Sequence, residues 1–114
     1  MSKENGVVIT SAVRTAIGDL GGSLKNVSAH KLGSTDISSA IEKSNIKASD
    51  INEIIMGQVL TGGAGQNPAR QAAMDAGIPK ETPSYVVNQV CGSGLRSIAS
   101  GYHSILSGSS NTVS

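Results

Sequence analysis

Apolar residues follow two spacings along the chain, and their alternation predicts a β-α-β-α-β-α order. Short apolar runs at residues 6–13, 54–59 and 84–88 contain little polar alternation, which is typical of strands covered on both faces. After each run, a segment repeats its apolar residues every three or four positions, as amphipathic helices do. Connections of this length favour right-handed crossovers between parallel strands. The expected fold class is therefore α/β with a mostly parallel sheet.

Capping residues mark the ends of the predicted helices. Ser28 precedes the first helical segment and Asn45 follows it, as expected for an N-cap and a terminating residue. Asn67 stands before Pro68, which pairs an N-cap with proline at the first helical position of the second helix. That helix is expected to stop at Gly77.

Three loops follow the predicted strands, and the parallel order places them at one edge of the sheet. Two are rich in glycine, at residues 14–25 and 61–66, and the third contains Cys91. The glycine spacing matches neither a P-loop nor a dinucleotide-binding fingerprint, so phosphate binding is only weakly indicated. We expect the three loops to share one pocket.

Composition limits the class of protein. The 114 residues have the length of one domain, and with no Phe or Trp the core must be aliphatic. A net charge of +1 without a basic cluster argues against a nucleic-acid partner. Neither a secretory signal nor an apolar stretch long enough to span a bilayer is expected, so a cytoplasmic setting without membrane binding is predicted.

Cys91 is the single cysteine, and it lies between a strand-like run and a helical pattern. A helix amino terminus offers unpaired N–H groups and partial positive charge, which favour a thiolate and can bind an oxyanion. Gly92 and Gly94 beside it allow close approach of a ligand. The alternative is a buried, inert cysteine, which is the commoner role of this residue type.

Other polar residues do not complete a site around this cysteine. His103 lies twelve residues beyond Cys91 in the predicted third helix, about 18 Å along the axis, so it cannot act as its base directly. His30 follows a helix cap, where an exposed imidazole is common. One cysteine and two separated histidines give no metal-ligand spacing, and the carboxylates are scattered singly. No metal site and no self-contained acid/base pair are expected.

Three motifs in order resemble those of the thiolase family. Residues 88–95 (NQVCGSGL) resemble the active-site cysteine segment of thiolases, especially of those that act on acetyl-CoA. Residues 13–24 (VRTAIGDLGGSL) and 65–73 (GQNPARQAA) resemble further thiolase motifs and extend the resemblance over nearly the whole chain.

The resemblance implies a thiolase-like fold and an acyltransferase, specifically an acetyl-CoA C-acetyltransferase of fatty acid metabolism. Cys91 would be the nucleophile that carries the acyl group as a thioester, and its backbone N–H would help hold the oxyanion. The CoA thioester would be a substrate, with no further cofactor. Thiolases are dimers or tetramers, so a homo-oligomer is expected.

The chain departs from the family pattern because the family's histidine and second cysteine, which belong to a later part of thiolases, have no counterpart here. Residues 1–114 are therefore interpreted as a truncated N-terminal thiolase domain, with residues 109–114 at the start of the family's next strand. The alternative to an active acyltransferase is an incomplete fragment that is inert or assembles with a separately encoded C-terminal part. A ketoacyl synthase is a third interpretation, which residues 66–73 disfavour.

Overall fold

The computed structural model describes residues 6–114. Helices and strands alternate through this part of the chain, and the α/β class expected from the sequence is confirmed. The elements are α1 (Ala29–Ser44), a short 3-10 turn (Ala48–Asp50), β1 (Ile54–Gly57), α2 (Pro68–Asp75), β2 (Ser84–Val87) and α3 (Ser93–Leu106).

The two strands are parallel neighbours, with Ile54 opposite Ser84 and Gly57 opposite Val87. Helix α2 connects them, as expected for a crossover between parallel strands. On the other side of β1, Val113 pairs with Glu53 in a further parallel bridge. The chain after α3 therefore adds an isolated parallel bridge beside β1, at the place where the family resemblance implies the next strand.

The prediction of a first strand at residues 6–13 is wrong. Residues 6–13 form no regular element and lie along the second half of α1 instead. The Ser11 hydroxyl donates to the Ala40 carbonyl at 2.9 Å, and the hydroxyls of Thr10 and Ser44 lie 2.7 Å apart. A strand needs a neighbouring strand to receive its backbone hydrogen bonds, and within residues 6–114 none lies beside this segment. The observed order is therefore α-β-α-β-α.

An aliphatic core joins α1 and α2 to β1. Gly33 is a point of close approach between α1 and its neighbours, because a Cβ there would lie 2.9 Å from Met56 Cε and 3.2 Å from Ala72 Cβ. The alanines of α2 have short side chains, which let the two helices pack closely. The buried core residues are Ile37, Ile51, Ile54, Ala72, Ala73 and Ile78.

The predicted caps lie where the sequence places them. The Asn67 Oδ1 accepts a hydrogen bond from the Arg70 backbone N–H at 3.1 Å, so its side chain satisfies one of the first amides of α2. Asn45 ends α1 in the left-handed region, at φ 56°. Ser28 is the N-cap of α1, although its side chain makes no capping hydrogen bond.

Among residues 6–114, no helix has the length and apolarity required to cross a bilayer.

Candidate active site

Cys91 lies in the turn between β2 and α3, one residue before Gly92, which is the N-cap of the helix. The residue is exposed, so the alternative of a buried cysteine is wrong for this structure. The structure thus places the thiol-bearing residue at the carboxyl end of a parallel strand and the amino end of the following helix.

A buried hydroxyl closes this turn. Ser93 is 4% exposed, and its Oγ accepts from the Gln89 backbone N–H at 2.8 Å. The same hydroxyl donates to the Val90 carbonyl at 2.6 Å. Val90 has φ +48°, which is an unfavourable left-handed conformation for a β-branched residue. The bonds from Ser93 on both sides of Val90 help hold the residue in that conformation.

Two further side chains attach the turn to its surroundings. Asn88 Oδ1 accepts from the Val90 backbone N–H at 2.9 Å, while Asn88 Nδ2 donates to the Val59 carbonyl at 3.1 Å. Arg96, on the first turn of α3, donates from Nε to Gln89 Oε1 at 2.6 Å. The turn is therefore attached both to the segment after β1 and to its own helix.

The start of α3 lies directly against the end of β1. A Cβ at Gly57 would come within 2.6 Å of the Gly94 nitrogen and within 2.5 Å of the Ser93 carbonyl oxygen. These separations are shorter than real Cβ contacts, so only glycine fits at this position of β1. The strand thus sets the position at which α3 begins.

The electrostatic setting of Cys91 comes from α3. In the hydrogen bonds found for residues 6–114, neither the Cys91 N–H nor the Leu95 N–H has an acceptor. Such free amides at the start of a 14-residue helix carry partial positive charge. The arrangement can stabilise an oxyanion that forms beside the sulfur.

Two of the three loops expected to share a pocket are connected. The 61–66 loop is held by Gln71, whose Nε2 donates to the carbonyls of Ala64 and Gln66 at 2.8 and 2.9 Å. The segment that leads from β1 to this loop contains Val59, whose carbonyl accepts a hydrogen bond from Asn88 and so connects the loop to the Cys91 turn. Within residues 6–114, no hydrogen bond joins the 14–25 segment to either loop.

The histidines lie apart from Cys91. His30 Nδ1 is 2.9 Å from Asp75 Oδ2, an ion pair or hydrogen bond that joins α1 to α2. His103 lies ten residues into α3, so the helical rise places it roughly 15 Å beyond the helix start. Among residues 6–114, no group of three or more potential ligands is arranged to hold a metal ion.

A shallow groove runs beside the Cys91 turn. Its volume is about 220 Å³, and its lining combines the Gln89 and Arg96 pair with Gly92, Leu95 and Ala99. Leu95 is 74% exposed, which leaves an apolar wall next to the thiol-bearing turn. The groove offers both apolar contact and a cationic side chain, although Cys91 itself is not one of its lining residues.

A second polar cluster fixes the far end of α3. Glu53 Oε2 accepts from the hydroxyls of Ser104 and Ser110 at 2.6 and 2.9 Å. Burial raises the pKa of the Tyr85 phenol, and the negative charge of Glu53 together with a hydrogen bond to it raises that pKa further. The cluster joins the residue before β1 to β2 and α3, so both ends of α3 are held against the sheet.

Sequence reasoning assigned no individual role to Ser93, Gln89, Arg96 or Gly57. The glycine within an apolar strand run is a signal for close backbone approach, so Gly57 could have been found. The sequence contains no comparable signal for the hydrogen bonds of Ser93, because these bonds depend on a turn geometry that is seen only in the folded chain.

Comparisons with family profiles, known sequences and solved structures all point to the same family. The family profile described as "Thiolase, N-terminal domain" matches residues 7–113. The chain is 50% identical over 107 residues to the acetyl-CoA acetyltransferase of Shinella zoogloeoides, covering 94% of this chain and 27% of that protein. It is also 50% identical over 107 residues to a probable acetyl-CoA acyltransferase of Staphylococcus aureus (strain MRSA252), with the same two coverages.

A solved structure is similar over most of the chain. It is the crystal structure of Acat5 thiolase from Ascaris suum in complex with coenzyme A, with a TM-score of 0.86 and 40% sequence identity. The match covers 88% of this chain and 26% of that protein. The chain thus spans about a quarter of the length of the relatives it matches.

Proposed function

The chain belongs to the thiolase family, and we propose that it contributes the acyl-accepting cysteine, Cys91, to an acetyl-CoA C-acetyltransferase. The observation that carries the proposal is the exposed Cys91 in a hydrogen-bonded turn at the amino end of α3. Relatives named acetyl-CoA acetyltransferase, at 50% and 49% identity over 107 residues, support the acetyl group as the one transferred.

In the proposed step, the Cys91 sulfur forms a bond to the acetyl carbonyl carbon of acetyl-CoA. The bond between that carbon and the CoA sulfur breaks, and CoA leaves as the free thiol after its sulfur takes up the proton that Cys91 has lost. The acetyl group then rests on Cys91 as a thioester, and no further cofactor is required. The free Cys91 N–H is suited to hold the carbonyl oxygen while it carries negative charge.

Turnover requires proton transfer that the described residues do not offer near the thiol. His30 is engaged by Asp75 and His103 lies far along α3, which leaves Cys91 without an adjacent base among residues 6–114. We therefore propose that residues 1–114 form an N-terminal thiolase domain that is inactive in turnover by itself and acts with further thiolase polypeptide.

Exposed apolar side chains on α3 support association. Leu95, Ile98 and Tyr102 are spaced three and four residues apart and are 74%, 58% and 47% exposed. Side chains at this spacing form one stripe on a helix, and burying it would be favourable. The partners proposed are a C-terminal thiolase part or a second copy of the chain, with an acyl-CoA as the small-molecule substrate.

A hybrid enzyme tests the function. Residues 7–113 replace the matching segment of the Shinella zoogloeoides acetyl-CoA acetyltransferase, to which they are 50% identical. We expect the hybrid to catalyse thiolysis of acetoacetyl-CoA and the Cys91→Ser hybrid to lose it. A folded hybrid without activity, or one that keeps activity after Cys91→Ser, would contradict the proposal.

A further inference from the structure

We propose that Ser93 is a positioning residue that sets the direction of the Cys91 N–H, an inference that rests on the proposed function. Ser93 is almost fully buried and its hydroxyl is used twice, accepting from Gln89 N–H and donating to the Val90 carbonyl. It touches no reacting atom in the proposed step. Its effect passes through the backbone on either side of Val90.

The link from Ser93 to Cys91 is the peptide group between Val90 and Cys91. A peptide unit is planar, and none of the peptide bonds in the described chain is cis. In a trans peptide, the carbonyl oxygen of Val90 and the amide hydrogen of Cys91 point in opposite directions. Fixing the Val90 oxygen on Ser93, at 2.6 Å from Oγ and 3.1 Å from the backbone nitrogen, therefore fixes the Cys91 N–H.

The conformation of Val90 makes this restraint necessary. Its φ of +48° is unfavourable for a β-branched side chain and persists only where surrounding bonds enforce it. Ser93 holds the turn on the Gln89 side and on the carbonyl side of Val90. Without the hydroxyl, the Gln89 N–H loses its acceptor and the Val90 carbonyl keeps only the backbone bond, so the peptide can rotate.

The consequence is a difference between two reactions of the same thiol. Attack on a thioester develops an oxyanion that the Cys91 N–H can hold, whereas alkylation by iodoacetamide develops none. Both reactions depend on the same thiolate, so its population cancels in the ratio of the two rate constants. A change in this ratio therefore reports the oxyanion donor rather than the exposure or ionisation of Cys91.

The test measures this ratio with acetyl-CoA and iodoacetamide as probes on the full chain, with N-acetylcysteine as the reference thiol. We expect Ser93→Ala to lower the ratio about tenfold, the scale of one lost hydrogen bond. Ser93→Thr keeps a hydroxyl and should restore most of it. The matched control is Ser97→Ala, which removes a bond from the same helix to the Gly94 carbonyl, and should change the ratio by less than about twofold.

The outcomes separate this inference from the proposed function. A wild-type ratio above that of N-acetylcysteine, unchanged by Ser93→Ala, would overturn the role of Ser93 and leave the proposed function standing. A wild-type ratio equal to the reference would overturn oxyanion binding at Cys91 and the Ser93 role with it. Circular dichroism checks each fold; if Ser93→Ala does not fold, the comparison is made in a Val90→Gly background, where glycine tolerates the left-handed φ.

Discussion

Gly57 at the end of β1 and Ser93 at the start of α3 touch backbone to backbone, so closely that no side chain fits between them. A Cβ on Gly57 would lie 2.5 Å from the Ser93 carbonyl oxygen. The strand therefore fixes the helix start, the helix start carries the hydroxyl that closes the turn, and the turn presents Cys91. A position in the sheet thus controls the geometry of a residue in a loop.

Gly57→Ala is expected to damage both stability and the site. The added methyl must push the start of α3 away, and forced repacking of this kind costs about 1–3 kcal/mol in the free energy of unfolding. Urea unfolding measures the loss, and the rate of Cys91 acetylation by acetyl-CoA should fall with it.

The matched control for that substitution is Gly94→Ala. A Cβ at Gly94 meets nothing within 4 Å, and alanine favours helix over glycine by up to about 1 kcal/mol. Stability should therefore stay constant or rise. Equal destabilisation by the two substitutions would show that the contact between Gly57 and Ser93 is not what limits position 57.

The N-caps Asn67 and Ser28 should contribute differently to stability. Asn67→Ala removes the bond to the Arg70 N–H and should lower the free energy of unfolding by about 0.5–2 kcal/mol. Ser28→Ala should have a much smaller effect, because the Ser28 side chain makes no capping bond in α1. Denaturant midpoints of the two variants give the comparison, and a larger loss for Ser28→Ala would contradict it.

Tyr85 should make stability fall at high pH. Its pKa is raised above the ordinary value of 10.0 by burial, by the negative charge of Glu53 and by a hydrogen bond to Glu53. The unfolded chain then releases the phenol proton at a lower pH than the folded chain. The stabilising contribution is complete below pH 10.0 and is lost as the pH rises through the folded-state pKa.

Urea unfolding of wild type and Tyr85→Phe, at pH values below and above 10.0, isolates this contribution. The stability of wild type should fall more steeply with pH than that of Tyr85→Phe, while Tyr102→Phe serves as the control for loss of a tyrosine hydroxyl elsewhere. Identical pH slopes in wild type and Tyr85→Phe would exclude the effect.

The apolar stripe on α3 should drive association of the isolated chain. Leu95→Lys together with Ile98→Lys places charges on the exposed stripe and should lower the mass measured by light scattering. His103→Lys introduces a charge on the same helix at an exposed polar residue, and should leave the mass unchanged. A monomeric wild-type chain at all concentrations would contradict this expectation.

The sequence predicted what local patterns determine. Apolar periodicity located the three helices, and Asn67 followed by Pro68 marked the start of α2 correctly. The position of Cys91 between β2 and α3 was also predicted, because a strand run and a helical pattern flank it.

The failures came from long-range contacts. Residues 6–13 have a strand composition, yet they form no strand because no partner strand lies beside them in the described chain. The bonds of Ser93 across the turn depend on a left-handed Val90, which no propensity favours in a β-branched residue. Such features arise only when the turn and the helix are assembled against β1.

The most direct measurement is to locate the acetyl group by peptide mass spectrometry after the folded hybrid enzyme, which carries residues 7–113 of this chain, reacts with acetyl-CoA. The account predicts a thioester on Cys91 that hydroxylamine removes, and no such product in Cys91→Ser. Acetylation confined to lysine side chains, or an active hybrid whose Cys91 stays unmodified, would contradict the claim that Cys91 is the acyl acceptor.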